Sequence, residues 1–140
     1  MFTIEEVDAL IPELSQRVAH QLALQSEIER LLRQLAAELG EVPTEITMQE
    51  SDTNEVRECK RDLKSKMLEY GQGWQQVQEL GAVIKDPQIG LLDFYGRIDG
   101  RLVWLCWRFG EDRLLYYHEL DAGFSGRRAL RPDVRSRLLN

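Results

Sequence analysis

The change of hydrophobic period at Gly81 constrains the fold more than any other feature of this 140-residue chain. Before Gly81, apolar residues recur every three or four positions, a spacing that predicts amphipathic helices. After Gly81, apolar and polar residues alternate and turn-forming residues follow at short intervals, which predicts β-strands. We therefore expect an α+β fold, in which a long antiparallel helical hairpin packs on a three- to four-stranded antiparallel β-meander.

The helical half carries clear start and stop signals. Thr3 can cap the amide of Glu6 while the Glu6 side chain reaches back, so a helix should begin there. Gly40 is a natural end for this helix, and Gly81 for the second one. Pro12 is expected to disrupt a continuous helix from Thr3, so that a short helix hands over to a long one near residue 11.

The remaining segments follow from alternation and turn chemistry. The predicted strands span residues 83–85, 91–95, 102–108 and 113–118. Residues 119–131 are predicted to form an ordered loop, and 132–140 a short helix or a frayed tail. The chain length suits one domain, with the hairpin at 1–81, the meander and its loop at 82–131 and the tail at 132–140.

Charge is distributed unevenly along the chain. Residues 1–58 hold 13 acids and 4 bases, whereas residues 113–140 hold 3 acids and 6 bases. The two ends can attract each other, within one chain or between subunits. No dense basic face with interleaved aromatics accompanies the last arginines, so nucleic acid is not an expected partner.

Cysteine usage and hydropathy indicate the compartment. The only two cysteines, Cys59 and Cys106, are expected to be free thiols in a reducing environment. The first residues do not have the pattern of a signal peptide, and no apolar run has the length of a membrane helix. We expect a cytoplasmic protein without a membrane partner.

Several long sequence motifs resemble those of a bacterial family known as domain of unknown function 2203. They are Gly90-Leu91-Leu92-Asp93-Phe94, then Leu105-Cys106-Trp107-Arg108-Phe109-Gly110-Glu111, and then His118-Glu119-Leu120-Asp121-Ala122-Gly123-Phe124-Ser125-Gly126-Arg127. The resemblance extends to the amino-terminal residues and so spans nearly the whole chain. It implies no activity and no functional residue.

Turn geometry predicts which side chains share a face of the sheet. A two-residue turn at Asp99-Gly100 places Asp93 opposite Cys106, on a face rich in aromatic residues. A second two-residue turn at residues 110–111 would place His118 opposite Val103, on the face that the helices cover.

This register predicts that Cys106 and His118 do not share a metal ion, because side chains on opposite faces cannot converge on one ion. No metal and no other cofactor is therefore expected. The prediction depends on the second turn. A loop of odd length that includes Asp112 would shift the pairing by one residue and place His118 on the face of Cys106.

The candidate ligand-binding residues are Asp93, Glu111, His118, Asp121, Arg127 and Arg128. Asp93 is either a carboxylate paired with an arginine or backbone amides, or an anchor in a pocket. His118 is either a satisfied core residue or a base or ligand, and Cys106 is expected to be an inert buried thiol. The loop acids and arginines can clamp an anion, but an internal ion-pair network that pins the carboxyl-terminal segment is the preferred interpretation.

Two functions from different classes remain. The first is a non-enzymatic interaction or scaffold protein that acts as a homodimer and has a possible further protein partner, since apolar residues on both sheet faces exceed what one hairpin covers. The alternative is a binding protein for a small anionic molecule, or a small enzyme, with its site near Asp93, Glu111, His118, Asp121 and Arg127.

Overall fold

The computed structural model describes residues 1–130, which form two α-helices, one antiparallel sheet and a 3₁₀ turn at Phe124–Gly126. The helices are α1 (Ile4–Leu39) and α2 (Asn54–Glu79); the strands are β1 (Val83–Asp86), β2 (Leu91–Ile98), β3 (Arg101–Arg108), β4 (Tyr116–Glu119) and β5 (Arg128–Ala129). The sheet order is β1-β2-β3-β4-β5. The α+β class is confirmed, and β5 adds a strand where a loop was predicted. The predicted tail lies outside the described residues.

The capping box at the start of α1 is present. The Thr3 amide donates to Glu6 Oε1 at 2.9 Å, and the Glu6 amide donates to Thr3 Oγ1 at 3.1 Å. Pro12 lies inside one continuous helix, so the expected handover from a short to a long helix near residue 11 is wrong. Proline removes only one helical hydrogen bond, and the buried stripe on both sides of it keeps the helix continuous. Gly40 follows the helix with φ +80°, the left-handed end that glycine permits.

The chain divides into two compact units. Residues 20–75 form the helical unit, made of the second half of α1, the connection and most of α2. Its described core lies between the helices and comprises Leu31, Leu35, Val56, Cys59 and Leu63. Of the described residues, 1–19 and 76–130 form the sheet unit.

In the sheet unit, the start of α1 is held against one face of the sheet, here called the inner face. The Phe2 amide donates to the Tyr95 carbonyl at 2.7 Å, and the rings of Phe2 and Phe94 meet edge to face at 5.1 Å. The fully buried side chains of this face are Leu92, Phe94, Val103, Leu105 and Trp107. Their burial fixes the orientation of β2 and β3, since a one-residue slip would turn every one of them outward.

The hairpin between β2 and β3 has the predicted register. Asp99 and Gly100 both have positive φ, 50° and 81°, as a two-residue hairpin turn requires. Asp93 therefore pairs with Cys106.

The predicted register of β4 on β3 is wrong by one residue. His118 pairs with Trp104 and Tyr116 pairs with Cys106, so His118 shares the face of Cys106. The physical reason is the connection: the Trp107 indole donates to the Glu111 carbonyl at 2.9 Å, and the chain rejoins the sheet only at Tyr116.

No helix in the described part of the chain is long and apolar enough to cross a membrane.

Candidate functional site

Three side chains that can hold a metal ion converge on the face of the sheet opposite the inner face, here called the outer face. Asp93 on β2, Cys106 on β3 and His118 on β4 each offer one donor atom, and these atoms lie within 4.8 Å of one another. Strand pairing produces the cluster, because Asp93 lies directly opposite Cys106 while His118, opposite Trp104, reaches diagonally across β3. All three residues are buried.

Both ring nitrogens of His118 have partners. Nδ1 lies 2.9 Å from the Glu119 carbonyl oxygen, and Nε2 lies 2.8 Å from Asp93 Oδ2. A carbonyl oxygen only accepts, so Nδ1 carries the hydrogen of that bond. The contact between Nε2 and Oδ2 then needs a second hydrogen, which the imidazole and the carboxyl group share between them.

Asp93 is buried with one oxygen that lacks a conventional donor. Its Oδ2 meets His118, whereas no group among the described residues donates to Oδ1 in hydrogen-bond geometry. The side chain is 0% exposed. A buried carboxylate oxygen without a donor costs free energy, which is a common sign that an ion or a ligand completes the site.

Cys106 is a thiol rather than a thiolate in this environment. Burial, followed by the neighbouring carboxylate of Asp93, raises the pKa of Cys106 to about 12, against the opposing charge of Arg127. A nucleophilic cysteine needs a lowered pKa and access, and this one has neither. The prediction of a free, buried thiol is confirmed.

A cavity of about 330 Å³ opens against the cluster. Asp93 and His118 form part of its wall, Lys85 and Asp86 of β1 lie on another side, and Trp104 contributes an aromatic surface. The Lys85 ammonium group lies 4.3 Å from the centre of the Trp104 ring. Two of the three donor residues therefore border an open space.

The loop residues divide into an ion pair and two exposed side chains. Arg127 donates to Glu111 Oε1 at 2.7 Å and to the Cys106 carbonyl at 3.3 Å. Its guanidinium lies 4.0 Å from the centre of the Tyr116 ring. Asp121 and Arg128 are exposed, and Arg128 belongs to β5. The structure thus brings Asp93 together with His118, and Glu111 with Arg127, but does not gather all six candidates around one ligand.

Part of the outer face is covered by the chain itself. The Arg127 guanidinium lies over the rings of Tyr116 and Phe124, and Phe124 lines the cavity. The homodimer was expected because one apolar face of the sheet would otherwise be exposed to water. Since these residues cover part of that face, the argument for a dimer is weaker. The homodimer stays a prediction.

The wrong register led the sequence analysis to reject Cys106 as a metal ligand beside His118, and Lys85 and Trp104 were missed as cavity residues. The available signal was the alternative loop length, which would have placed His118 beside Cys106. The sequence did not indicate that Lys85 lies at the cavity. The pairing of β1 with β2 shifts between Ile84 and Asp86, so simple alternation does not predict the face of Lys85.

Metal ligation is the chemistry that suits the cluster best. His118 has no nitrogen available as a base, and Cys106 has no thiolate, so neither general-base nor nucleophilic catalysis is served. Thiol, imidazole and carboxylate are a donor set typical of zinc and related divalent ions. The bond from Nδ1 to a backbone carbonyl is the arrangement that commonly orients a metal-binding histidine.

Fold and site together define an α+β protein with a buried cluster of three donors beside a cavity. A family model described as an uncharacterized conserved protein (DUF2203) matches residues 1–130, so the chain belongs to that family. Neither the comparison with curated proteins nor the comparison with solved structures found a match.

Proposed function

We propose that this protein is a metalloprotein that binds one divalent transition-metal ion of the zinc type through Asp93, Cys106 and His118. The convergence of these three donor atoms within 4.8 Å carries the proposal. Surface histidines and acids often lie near one another by chance, whereas here a thiol, an imidazole and a carboxylate are all buried from solvent.

The spacing of the cluster supports this function. Donors bound at about 2.0 to 2.3 Å in a tetrahedral site lie roughly 3.3 to 3.8 Å apart, so no donor-to-donor distance needs to shorten by more than about 1.5 Å. A metal ion would replace the protons that the cluster now holds, on the thiol and between Asp93 and His118. The ion would also place a positive charge beside the carboxylate of Asp93, whose Oδ1 has no hydrogen-bond donor among the described residues.

The number of ligands indicates the kind of site. Structural zinc sites are closed by four protein ligands, whereas catalytic sites have three and leave the fourth position to water or substrate. The described residues supply three ligands beside a cavity. The proposal therefore includes an open coordination position, and with it a site of the catalytic type.

A cytoplasmic location is part of the proposal. It is supported by the two free, buried cysteines, which suit a reducing compartment.

The chain offers matched controls for a zinc titration, because it contains only two cysteines and two histidines. Metal-free protein should bind one equivalent of Zn²⁺, and Cys106→Ser and His118→Asn should each lose tight binding. Cys59→Ala and His20→Gln remove the other cysteine and histidine and should retain the full equivalent.

Cobalt separates loss of a ligand from loss of the fold. Co²⁺ bound to the intact protein should show a thiolate-to-metal charge-transfer band that Cys106→Ser lacks, while circular dichroism shows that the variant is folded. Retention of stoichiometric zinc by folded Cys106→Ser and His118→Asn, or no binding by the intact protein, would refute the metal site.

A further inference from the structure

The cavity beside Asp93 and His118 has a chemical character that indicates what it binds. Both of these residues lie in the cavity wall, whereas Cys106 does not. The open position of a metal bound by all three would therefore face the cavity rather than the core. The inference below rests on the proposed metal site.

The rest of the wall is mainly apolar. It includes Leu91, Trp104, Leu120, Ala122 and Phe124. Phe124 is 42% exposed and Leu120 48% exposed, so a bound molecule would bury apolar surface that water now contacts.

The charged residues at the edge of the cavity are one cation and one acid. Lys85 lies above Trp104 and is exposed, so its ammonium can turn toward a ligand. Asp86 is partly engaged, because its Oδ1 accepts the Gln88 amide at 3.0 Å in the turn after β1. A divalent ion held by one carboxylate and one thiolate keeps no formal net charge, so the positive charge that favours an anionic head group at the open metal position is that of Lys85.

We propose that the cavity binds a small molecule with an apolar, ring-sized body and a single anionic oxygen head group, such as a carboxylate or hydroxamate. The head group takes the open metal position, and the body lies against Trp104 and Phe124. The volume of about 330 Å³ is near the lower end of the roughly 300 to 1,000 Å³ of ligand pockets, which suits a single ring and not a dinucleotide or a folded peptide.

The test compares two hydroxamates on the cobalt-loaded protein. Benzohydroxamate and acetohydroxamate share the metal-binding group and differ in the apolar body. Each should change the visible cobalt spectrum, and benzohydroxamate should bind about 10- to 100-fold more tightly, the gain expected from burying a ring-sized apolar group.

Two phenylalanine variants test whether the tighter binding of benzohydroxamate comes from contacts with the cavity wall. Phe124→Ala should weaken benzohydroxamate by about 10-fold while leaving acetohydroxamate unchanged. Phe109→Ala is the matched control, since Phe109 is similarly exposed at 36% but does not line the cavity, and it should change neither affinity.

The outcomes separate this inference from the proposed function. If cobalt binds through Cys106 but neither hydroxamate changes its spectrum, the metal site stands and the ligand inference is wrong. Equal affinity for the two probes, or equal effects of Phe109→Ala and Phe124→Ala, would refute the apolar body. If cobalt itself does not bind, the proposed function fails and the inference fails with it.

Discussion

Two carboxylates in this protein, the half-buried Asp52 and the fully buried Asp93, have opposite surroundings. In the helical unit, Asp52 Oδ2 accepts from Lys60 Nζ and from the Gln49 amide, each at 2.8 Å, and Lys60 also donates to the Thr47 carbonyl. In the sheet unit, Asp93 meets His118 but keeps one buried oxygen without a conventional donor.

The difference separates a pair that holds a loop in place from a carboxylate that we propose binds a metal ion. The donors around Asp52 come from its own connection and from α2, so the pair fixes the path of residues 47–60. Asp93 is bordered by a thiol, an imidazole and a cavity. A carboxylate that accepts from an ammonium group and a backbone amide stabilises a fold, whereas a buried one left short of donors beside a cavity is suited to bind an ion or a ligand.

The largest expected effect is a loss of stability when Trp107, part of the framework that positions Asp93, is replaced. Trp107 is fully buried and its indole holds the connection after β3. Trp107→Ala should lower the free energy of unfolding by about 3 to 5 kcal/mol, because it empties a large core site. Urea denaturation measures this loss, and a loss below that of Thr3→Ala would mean that Trp107 does not support the inner face.

The contrast itself is tested by the same substitution at both carboxylates. Asp93→Asn should weaken zinc binding by more than the roughly 10- to 100-fold that loss of an outer-shell partner costs, since it removes a ligand. Asp52→Asn should leave zinc affinity unchanged. Calorimetric titration of both folded variants gives the two affinities, and a similar loss in both would abolish the distinction.

The pH dependence of stability should identify Asp52 as the structural member. The hydrogen bond from Lys60, followed by that from the Gln49 amide, holds the pKa of Asp52 below its ordinary value of 3.8. A carboxyl group with a lowered pKa in the folded state stabilises the protein fully above its unfolded pKa and loses that contribution as pH falls through the folded value.

Denaturation of the intact protein and Asp52→Asn should therefore differ most at neutral pH, and the difference should shrink at pH values below 3.8. A difference that stays constant in acid would show that the ionised form of Asp52 gives no stability.

The smallest effect is expected at the start of α1. Thr3→Ala removes one half of the capping box and should cost about 1 kcal/mol. The measurement is again urea denaturation. An unchanged midpoint would show that the contacts of Phe2 with the sheet, rather than the cap, hold this helix end.

Local chemistry predicted the parts of the fold that depend on nearby residues. The Thr3 and Glu6 cap, the helix end at Gly40 and the turn at Asp99-Gly100 each follow from residue types within a few positions. Their bonds are short-range, so the sequence pattern alone determines them.

The candidate site depended on contacts that span the chain. The amide of Leu114, four residues before His118, donates to Asp8 of α1 at 2.7 Å, and the Trp107 indole binds the Glu111 carbonyl. These contacts keep the segment before β4 off the sheet and shift its register by one residue. Nothing in the spacing of residues 109–115 specifies them, so the sequence predicted His118 on the wrong face.

The homodimer remains a prediction, and light scattering of the intact chain tests it. The predicted absence of a metal rested on the wrong register, and that ground no longer holds.

X-ray absorption of the zinc-loaded protein tests the metal centre most directly. The account predicts one sulfur ligand at about 2.3 Å and nitrogen or oxygen ligands at about 2.0 to 2.2 Å, from Cys106, His118 and Asp93. Loading the protein with one equivalent of zinc and finding no sulfur ligand would contradict it, because a thiol ligand is what distinguishes this cluster from an adventitious site of surface acids and histidine.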